Sequence, residues 1–108
     1  MQTVLNAISD GHRRDLLDRL RHHPASVNEL AASLPIARPG VSRHLRVLRE
    51  AGLVEARQVG QSRVYSLAPE PLSALDEWLG PYRDLWQHRM EALHTEIARG
   101  KKARGDKT

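Results

Sequence analysis

Arginine recurs beside small residues between positions 38 and 46 of the chain. The residues that we assign to one surface there are Arg38, Pro39, Gly40, Ser42, Arg43 and Arg46. The planar fork of an arginine can grip a phosphate or the edge of a guanine with two hydrogen bonds. A glycine has no Cβ, so it allows a partner to approach the backbone closely. These residue types predict a surface that binds double-stranded DNA.

A second group of basic and polar residues surrounds Gly60. It consists of Arg57, Gln61, Ser62 and Arg63. At the tip of a hairpin, such side chains can touch a phosphate or reach into a minor groove. Turns are rich in polar residues in most proteins, so the polarity alone is weak evidence. We therefore interpret this group as a phosphate contact rather than as a reader of bases.

The overall composition is compatible with a polyanionic partner. The 108 residues include 17 lysines and arginines against 13 acidic residues, which gives a net charge of +4 and an isoelectric point near 10.1. There is no cysteine, so disulfides and thiolate metal sites within the chain are excluded. We expect one domain, and a chain this short often gains stability by pairing with a second copy.

Enzymes and membrane proteins find no support in the sequence. There is no Ser–His–Asp order, no pair of carboxylates in a cleft context and no glycine-rich phosphate loop. We therefore predict no catalytic residues and no cofactor. The N-terminus reaches charged residues too early for a secretory signal, and no apolar run has the roughly 20 residues that cross a bilayer. A cytoplasmic location without membrane association is expected.

Four short helices are expected before residue 53, each marked by residues that start or stop a helix. The starting residues are Asp10, Ser26 with Glu29, and Arg38-Pro39. Asp10 is placed to cap the second helix, which follows a first one over residues 4–8. Ser26 and Glu29 form a capping box, and proline suits the first turn of a helix. The stops are Pro24, Pro35 and Gly52.

The periodicity changes after the fourth helix. Residues 53–59 and 63–67 are expected to form two strands, joined by a turn over residues 60–62. The longest helix is expected from Leu72 to Arg99. Together, residues 1–99 would form a DNA-binding and dimerisation domain. The charged tail, residues 100–108, contains few apolar residues and is expected to be disordered.

The order of these elements is that of a winged helix-turn-helix, a mainly helical fold with a two-stranded hairpin as its wing. In that fold the second helix of the motif enters the major groove of DNA. At about 100° per residue, Val41, Leu45 and Leu48 share one side of the fourth helix with His44. This side must face the core. The arginine-bearing side is therefore predicted to face outward.

The last helix carries an apolar stripe that three short helices cannot cover. We assign it to a dimer interface formed by Trp78, Leu79, Tyr82, Leu85, Trp86, Leu93 and Ile97. Tryptophan and tyrosine are typical anchors of interfaces. A two-fold dimer would place two recognition helices about one turn of DNA apart and would require a pseudo-palindromic operator.

Three segments of the chain resemble the ArsR family of repressors. They are residues 9–14 (SDGHRR), residues 41–54 (VSRHLRVLREAGLV) and residues 60–67 (GQSRVYSL). The resemblance implies a homodimer whose terminal helices pair, repression by occlusion of a promoter, and release by an unknown inducer. It also implies that the protein regulates its own operon. One departure is Ala37, where the family often has a serine cap.

The resemblance raises the question of a metal site, because many ArsR-family members sense metals. Residues 29–34 (ELAASL) contain no cysteine where thiolate sensors carry their ligands. His88 and Glu91 lie one helical turn apart, and Asp84 is the nearest further ligand. The zinc-sensing pattern needs an aspartate and a histidine upstream, and Leu75 stands where one of them would be. We predict no metal site. A sensor that uses carboxylate and histidine ligands and a module that binds other proteins remain the alternatives.

Overall fold

The computed structural model describes the backbone of residues 1–105 and the side chains of residues 1–100. Five helices and three strands follow one another along these residues. They are α1 (Gln2–Ile8), α2 (Gly11–His22), β1 (Ala25–Ser26), α3 (Val27–Ser33), α4 (Arg38–Glu50), β2 (Val54–Val59), β3 (Ser62–Leu67) and α5 (Leu72–Gly105). The fold is mainly helical, as predicted. One compact unit, which we call the winged unit, comprises Met1–Leu75, and a second consists of the part of α5 from Asp76 onward.

The starts of α2 and α3 are held by the side chains that the sequence indicates. The Asp10 carboxylate accepts hydrogen bonds from the backbone N–H groups of His12 (2.8 Å) and Arg13 (3.2 Å). The Ser26 hydroxyl accepts from the Glu29 N–H, and the Glu29 carboxylate accepts from the Ser26 N–H, both at 3.2 Å. Each bond satisfies a donor that a helix N-terminus otherwise leaves without a partner. Both predicted caps are confirmed.

The apolar side of α4 packs against α2, α3 and β2. Val41, Leu45 and Leu48 are fully buried, and His44 on the same side is half-buried. Burial of each leucine contributes roughly 1.5–3 kcal/mol. The predicted inward face of α4 is confirmed. This packing leaves the opposite face of the helix exposed.

The end of α4 is a Schellman motif centred on Gly52. The Gly52 N–H donates to the Arg49 carbonyl and the Leu53 N–H donates to the Leu48 carbonyl, both at 2.9 Å. Gly52 has a φ of 77°, a left-handed conformation that residues with a Cβ rarely adopt. The motif directs the chain into β2, and Leu53 is fully buried where the chain turns.

The sheet has three antiparallel strands in the order β1-β3-β2. The sequence analysis predicted the β2–β3 hairpin but not β1, so the two-stranded description was incomplete. β1 pairs with the middle of β3, with Ala25 opposite Tyr65 and Ser26 opposite Val64. A strand of two residues shows no alternation in the sequence. Its pairing depends on a partner far along the chain, which local patterns do not reveal.

The turn of the wing is tighter than predicted. Val59 pairs with Ser62, so the turn consists of Gly60 and Gln61 and Ser62 belongs to β3. Gly60 has a φ of 61° and Gln61 keeps a negative φ. This combination is typical of type II′ turns, whose twist suits a two-residue hairpin. Gln61 and Ser62 therefore lie at the tip of the wing.

α5 begins at Leu72, as predicted, and continues through Pro81 to Gly105. Its end lies beyond Arg99, where the sequence analysis placed it, so residues 100–105 of the expected disordered tail are helical. The remainder of that predicted tail, residues 106–108, lies outside the described residues. Within the described part of the chain, no helix combines the length and apolar character that crossing a membrane requires.

Candidate nucleic-acid interface

The outer face of α4 is exposed from its first turn to its middle. The exposed members of the predicted surface are Arg38, Pro39, Ser42, Arg43 and Arg46. All of them except Arg38 line a shallow groove along the helix. Among the described side chains, none of these three arginines forms an ion pair. Their guanidinium groups are free to meet an anionic partner.

Gly40 differs from the rest of the predicted surface because it is half-buried. A Cβ added to Gly40 would lie 3.0 Å from the Cγ2 atom of Ile36. Such a contact would force the isoleucine side chain to shift. Packing against Ile36, in the turn between α3 and α4, therefore favours glycine at residue 40. This reason adds to the close approach of a partner to the backbone that the sequence predicts.

The wing presents its predicted residues on two different faces. Gln58 pairs with Arg63 and Arg57 pairs with Val64, so the two arginines project from opposite sides of the sheet. The guanidinium carbon of Arg63 lies 5.7 Å from the centre of the Tyr65 ring, a cation–π contact. Arg57 borders a separate cleft on the other face. The structure therefore does not bring Arg57 to the surface that Arg63 occupies.

Four of the predicted residues meet the start of α3 around one cleft, which we call the α3–wing cleft. It measures about 220 Å³ and is lined by Ser26, Val27, Asn28, Arg38, Gln61, Ser62 and Arg63. Asn28 was not among the residues predicted from the sequence. A polar residue in the first turn of a capped helix is common, so its type carries no signal. Its proximity to the wing follows from the pairing of β1 with β3.

Arg13 connects α1, α2 and α4. Its guanidinium donates to the carbonyl oxygens of Ala7 (2.6 Å) and Asn6 (3.1 Å) in the last turn of α1. Its Nη1 atom lies 3.4 Å from Nδ1 of His44 on α4. Because a guanidinium only donates, Nδ1 must accept, and the imidazole is neutral in this contact. Arg13 thus ties α4 to the end of α1.

Three ionisable side chains have shifted pKa values: Asp10 and Glu29 at the starts of α2 and α3, and His44 in the middle of α4. The backbone N–H of Arg13 is the main cause that lowers the pKa of Asp10, and the Ser26 N–H does the same for Glu29. Burial is the main cause that lowers the pKa of His44, and the neighbouring Arg13 acts in the same direction. These shifts favour the ionised carboxylates and the neutral imidazole that the hydrogen bonds require.

Known proteins with similar sequences are regulators of transcription. A family described as a helix-turn-helix domain matches residues 8–57. The HTH-type transcriptional regulator Rv2034 of Mycobacterium tuberculosis is 52% identical over 69 residues, which are 64% of this chain and 64% of that protein. The transcriptional repressor SdpR of Bacillus subtilis is 33% identical over 79 residues, which are 73% of this chain and 88% of that protein.

A solved structure shares the fold. The ArsR-like transcriptional regulator from Rhodococcus sp. RHA1 superimposes with a TM-score of 0.69 at 30% identity, over 85% of this chain and 87% of that one. The chain belongs to the ArsR family of transcriptional regulators. It spans just under two thirds of the length of the mycobacterial relative. Membership of the ArsR family confirms the predicted winged helix-turn-helix fold and the prediction of a DNA-binding regulator rather than an enzyme.

The terminal helix of this ArsR-family chain exposes most of its predicted dimer residues. Trp78, Tyr82, Leu85, Trp86, Leu93 and Ile97 are each between 49% and 64% exposed, and Leu79 is half-buried. The rings of Trp78 and Tyr82 lie 4.9 Å apart and pack against each other. Such a row of large apolar side chains is unfavourable in contact with water.

The histidine and carboxylate pair on α5 lies on a fully accessible surface. Asp84, His88 and Glu91 are all exposed. Within the described residues, no group of three histidine, aspartate or glutamate side chains is arranged to hold a metal ion. The absence of a metal site in this ArsR-family chain stays a prediction that a binding experiment must test.

Proposed function

We propose that this chain is a repressor that binds, as a homodimer, a pseudo-palindromic operator in double-stranded DNA. The observation that carries the proposal is the exposed, unpaired arginine face of α4 beside a polar wing. The protein would act in the cytoplasm by occluding a promoter, and its own operon is the first candidate target. The inducing signal would be something other than a metal ion held by this chain.

The proposed DNA contact rests on the exposure of α4. The major groove of B-DNA admits one α-helix, whose N-terminal residues meet the base edges. Arg43 and Arg46 lie on the exposed face and line one shallow groove with Pro39 and Ser42. Arginine bonded to the O6 and N7 atoms of guanine is the commonest base-specific contact. We therefore expect the half-site to contain guanine.

The proposed homodimer rests on the apolar face of α5. A single recognition helix with its wing makes few contacts, so tight specific binding requires two half-sites joined on one body. The exposed side chains of α5 offer a second copy a surface with two tryptophans. The name of the Bacillus subtilis relative, a transcriptional repressor, supports repression as the outcome of binding.

A mobility-shift titration on the DNA upstream of the gene tests the proposal. We expect a specific complex that survives excess competitor DNA and a footprint with two-fold symmetry. Adding zinc, cadmium or a chelator should change the affinity by less than about threefold, because the usual ligands are missing. A complex that forms equally well on any duplex would contradict the proposal. A tenfold or larger fall with zinc that His88→Ala abolishes would instead support the metal-sensing alternative.

A further inference from the structure

We propose that the α3–wing cleft holds a backbone phosphate of the bound duplex and that Asn28 of α3 is one of its contacts. The inference rests on the proposed function and adds a third element, α3, to the DNA-binding surface. It also assigns Arg38, Gln61, Ser62 and Arg63 to one phosphate position instead of to separate contacts.

The cleft is suited to an anion by its charge. Arg38 enters it from the start of α4 and Arg63 enters it from β3, and no aspartate or glutamate of the described residues lines it. Among the described side chains, neither arginine forms an ion pair. The other polar groups of the lining are amides and hydroxyls, which donate hydrogen bonds to phosphate oxygens.

Glu29 follows the lining residue Asn28 in the chain, and its carboxylate is engaged in the capping box. Glu29 accepts the Ser26 N–H at 3.2 Å within the capping box. The Ser26 hydroxyl accepts the Glu29 N–H at 3.2 Å, so its own hydrogen can still be donated. The capping box therefore keeps an acidic side chain out of the cleft and leaves a hydroxyl donor at its edge.

The position of the cleft favours a phosphodiester of the DNA backbone over a free anion. The start of α4 faces the major groove, and the wing tip reaches the neighbouring backbone or minor groove. The strand that separates these two grooves must pass between them, across the cleft. Asn28, Arg38 and the wing-tip residues are all exposed, so a free anion would remain largely in water. An open cationic cleft suits a group that the rest of the duplex holds in place.

Asn28 offers a selective test because it is the second residue of α3. An aspartate there should not harm folding, since a carboxylate in the first turn interacts favourably with the helix dipole. It would, however, place a negative charge in the cleft. Ser73→Asp is the matched control, because Ser73 is exposed, is the second residue of α5 and does not line the cleft.

Fluorescence anisotropy of the full chain should be measured with two labelled duplexes, the operator and a scrambled sequence, over a series of salt concentrations. We expect Asn28→Asp to weaken binding to both duplexes by about tenfold, because a phosphate contact is independent of sequence. Ser73→Asp should bind both as the wild type does. Arg38→Gln should lower the slope of log K against log salt by about one. The combined loss for Asn28→Asp with Arg38→Gln should be smaller than the product of the single losses, because both residues would act on one phosphate.

Several outcomes would overturn the inference and leave the proposed function intact. One is an Asn28→Asp variant that binds like Ser73→Asp while the wild type binds its operator. Another is a loss confined to the operator, which would indicate a base contact. A third is a shift of the Asn28 amide resonances on titration with inorganic phosphate, combined with unchanged DNA affinity of the variant. A wild-type chain that binds no duplex would contradict the proposed function itself. Thermal unfolding by circular dichroism, expected to be unchanged, controls for folding.

Discussion

At the scale of single residues, the arginines of this chain divide by the partners of their guanidinium groups. Arg13 and Arg14 donate to carbonyl oxygens in the last turn of α1 and so serve the fold. Arg83 pairs with Asp76 on α5. Arg43 and Arg46 project from α4 and have no such partner among the side chains of residues 1–100. The net charge of +4 is therefore weaker evidence for DNA binding than the positions of the arginines that have no protein partner among the described residues.

Arg43→Ala and Arg46→Ala are each expected to weaken binding to the operator. Loss of a bidentate contact to a base would cost about 1–3 kcal/mol and relax specificity at one position. Loss of a phosphate contact would weaken binding to DNA of any sequence and make the affinity depend less on salt concentration. Mobility-shift titrations distinguish the two, with Arg21→Ala on the exposed side of α2 as a control for the lost charge. Unchanged operator affinity in both variants would show that α4 does not enter the groove as proposed.

His44 is expected to make the free energy of unfolding fall as the medium becomes acidic. The folded pKa is lowered from its usual 6.5, with burial as the main cause and with Arg13, His12 and Arg43 acting in the same direction against Asp10. Below pH 6.5 the unfolded chain therefore binds a proton that the folded chain resists. The contribution of His44 to the free energy of unfolding is therefore constant above pH 6.5. It falls as the pH decreases from 6.5 to the lower pKa of His44 in the folded chain.

Urea unfolding over a pH series measures this dependence. His44→Gln keeps a side chain that can accept from Arg13 but does not titrate, so its stability should vary less with pH in this window. If the free energy of unfolding of the variant depends on pH as that of the wild type does, groups other than His44 must cause the dependence. The ionised Asp10 cap is lost by protonation in a separate, more acidic pH range, because the pKa of Asp10 lies below the usual 3.8.

At the scale of elements, local chemistry made the helices predictable. Asp10, Ser26 and Gly52 act through hydrogen bonds to residues within five positions of themselves, which a sequence displays directly. β1 was missed because its two residues are defined by Val64 and Tyr65 in β3. Asn28 was missed for the same reason, since the cleft that it lines joins three elements. The contact between Arg13 and His44 is likewise visible only after the chain has folded.

Gly52→Ala is expected to destabilise the winged unit. The left-handed conformation of Gly52 would cost an alanine roughly 1–2 kcal/mol. Its Cβ would also lie 3.3 Å from the Cγ atom of Pro71. Gly11→Ala is the control, because residue 11 is helical, lacks a positive φ, and would place its Cβ in ordinary contact, 3.7 Å from the Nη2 atom of Arg14. Urea denaturation should show a loss for residue 52 and none for residue 11, and equal effects would contradict the assigned role of the Schellman motif.

At the scale of the whole molecule, we expect dimerisation and specific DNA binding to be lost together. Leu85→Glu with Trp86→Glu places two charges on the apolar face of α5, where each large side chain represents roughly 1.5–3 kcal/mol of burial on pairing. The variant should sediment as a monomer, or aggregate, and fail to bind the operator although α4 and the wing are intact. Sedimentation velocity and mobility-shift titration measure the two properties.

The control for this variant is Thr95→Glu with Ala98→Glu, which adds the same charge on the opposite side of α5. At about 100° per residue, these two positions point away from the tryptophan stripe. The control should remain a dimer and bind DNA. A folded monomer of the Leu85 and Trp86 variant with wild-type operator affinity would disprove the two-fold model of the operator.

The placement of the aromatic residues has a spectroscopic consequence. Trp78 and Trp86 are the two tryptophans of the chain, and both lie in the part of α5 beyond Leu75. The two residues are 51% and 64% exposed, so in a single chain their indoles should emit at the long wavelengths typical of an aqueous environment. The winged unit contains Tyr65 and no tryptophan, and is therefore silent when indole is excited selectively. A blue shift of the emission on concentration would follow self-association of α5 alone, whether or not α4 and the wing are occupied by DNA.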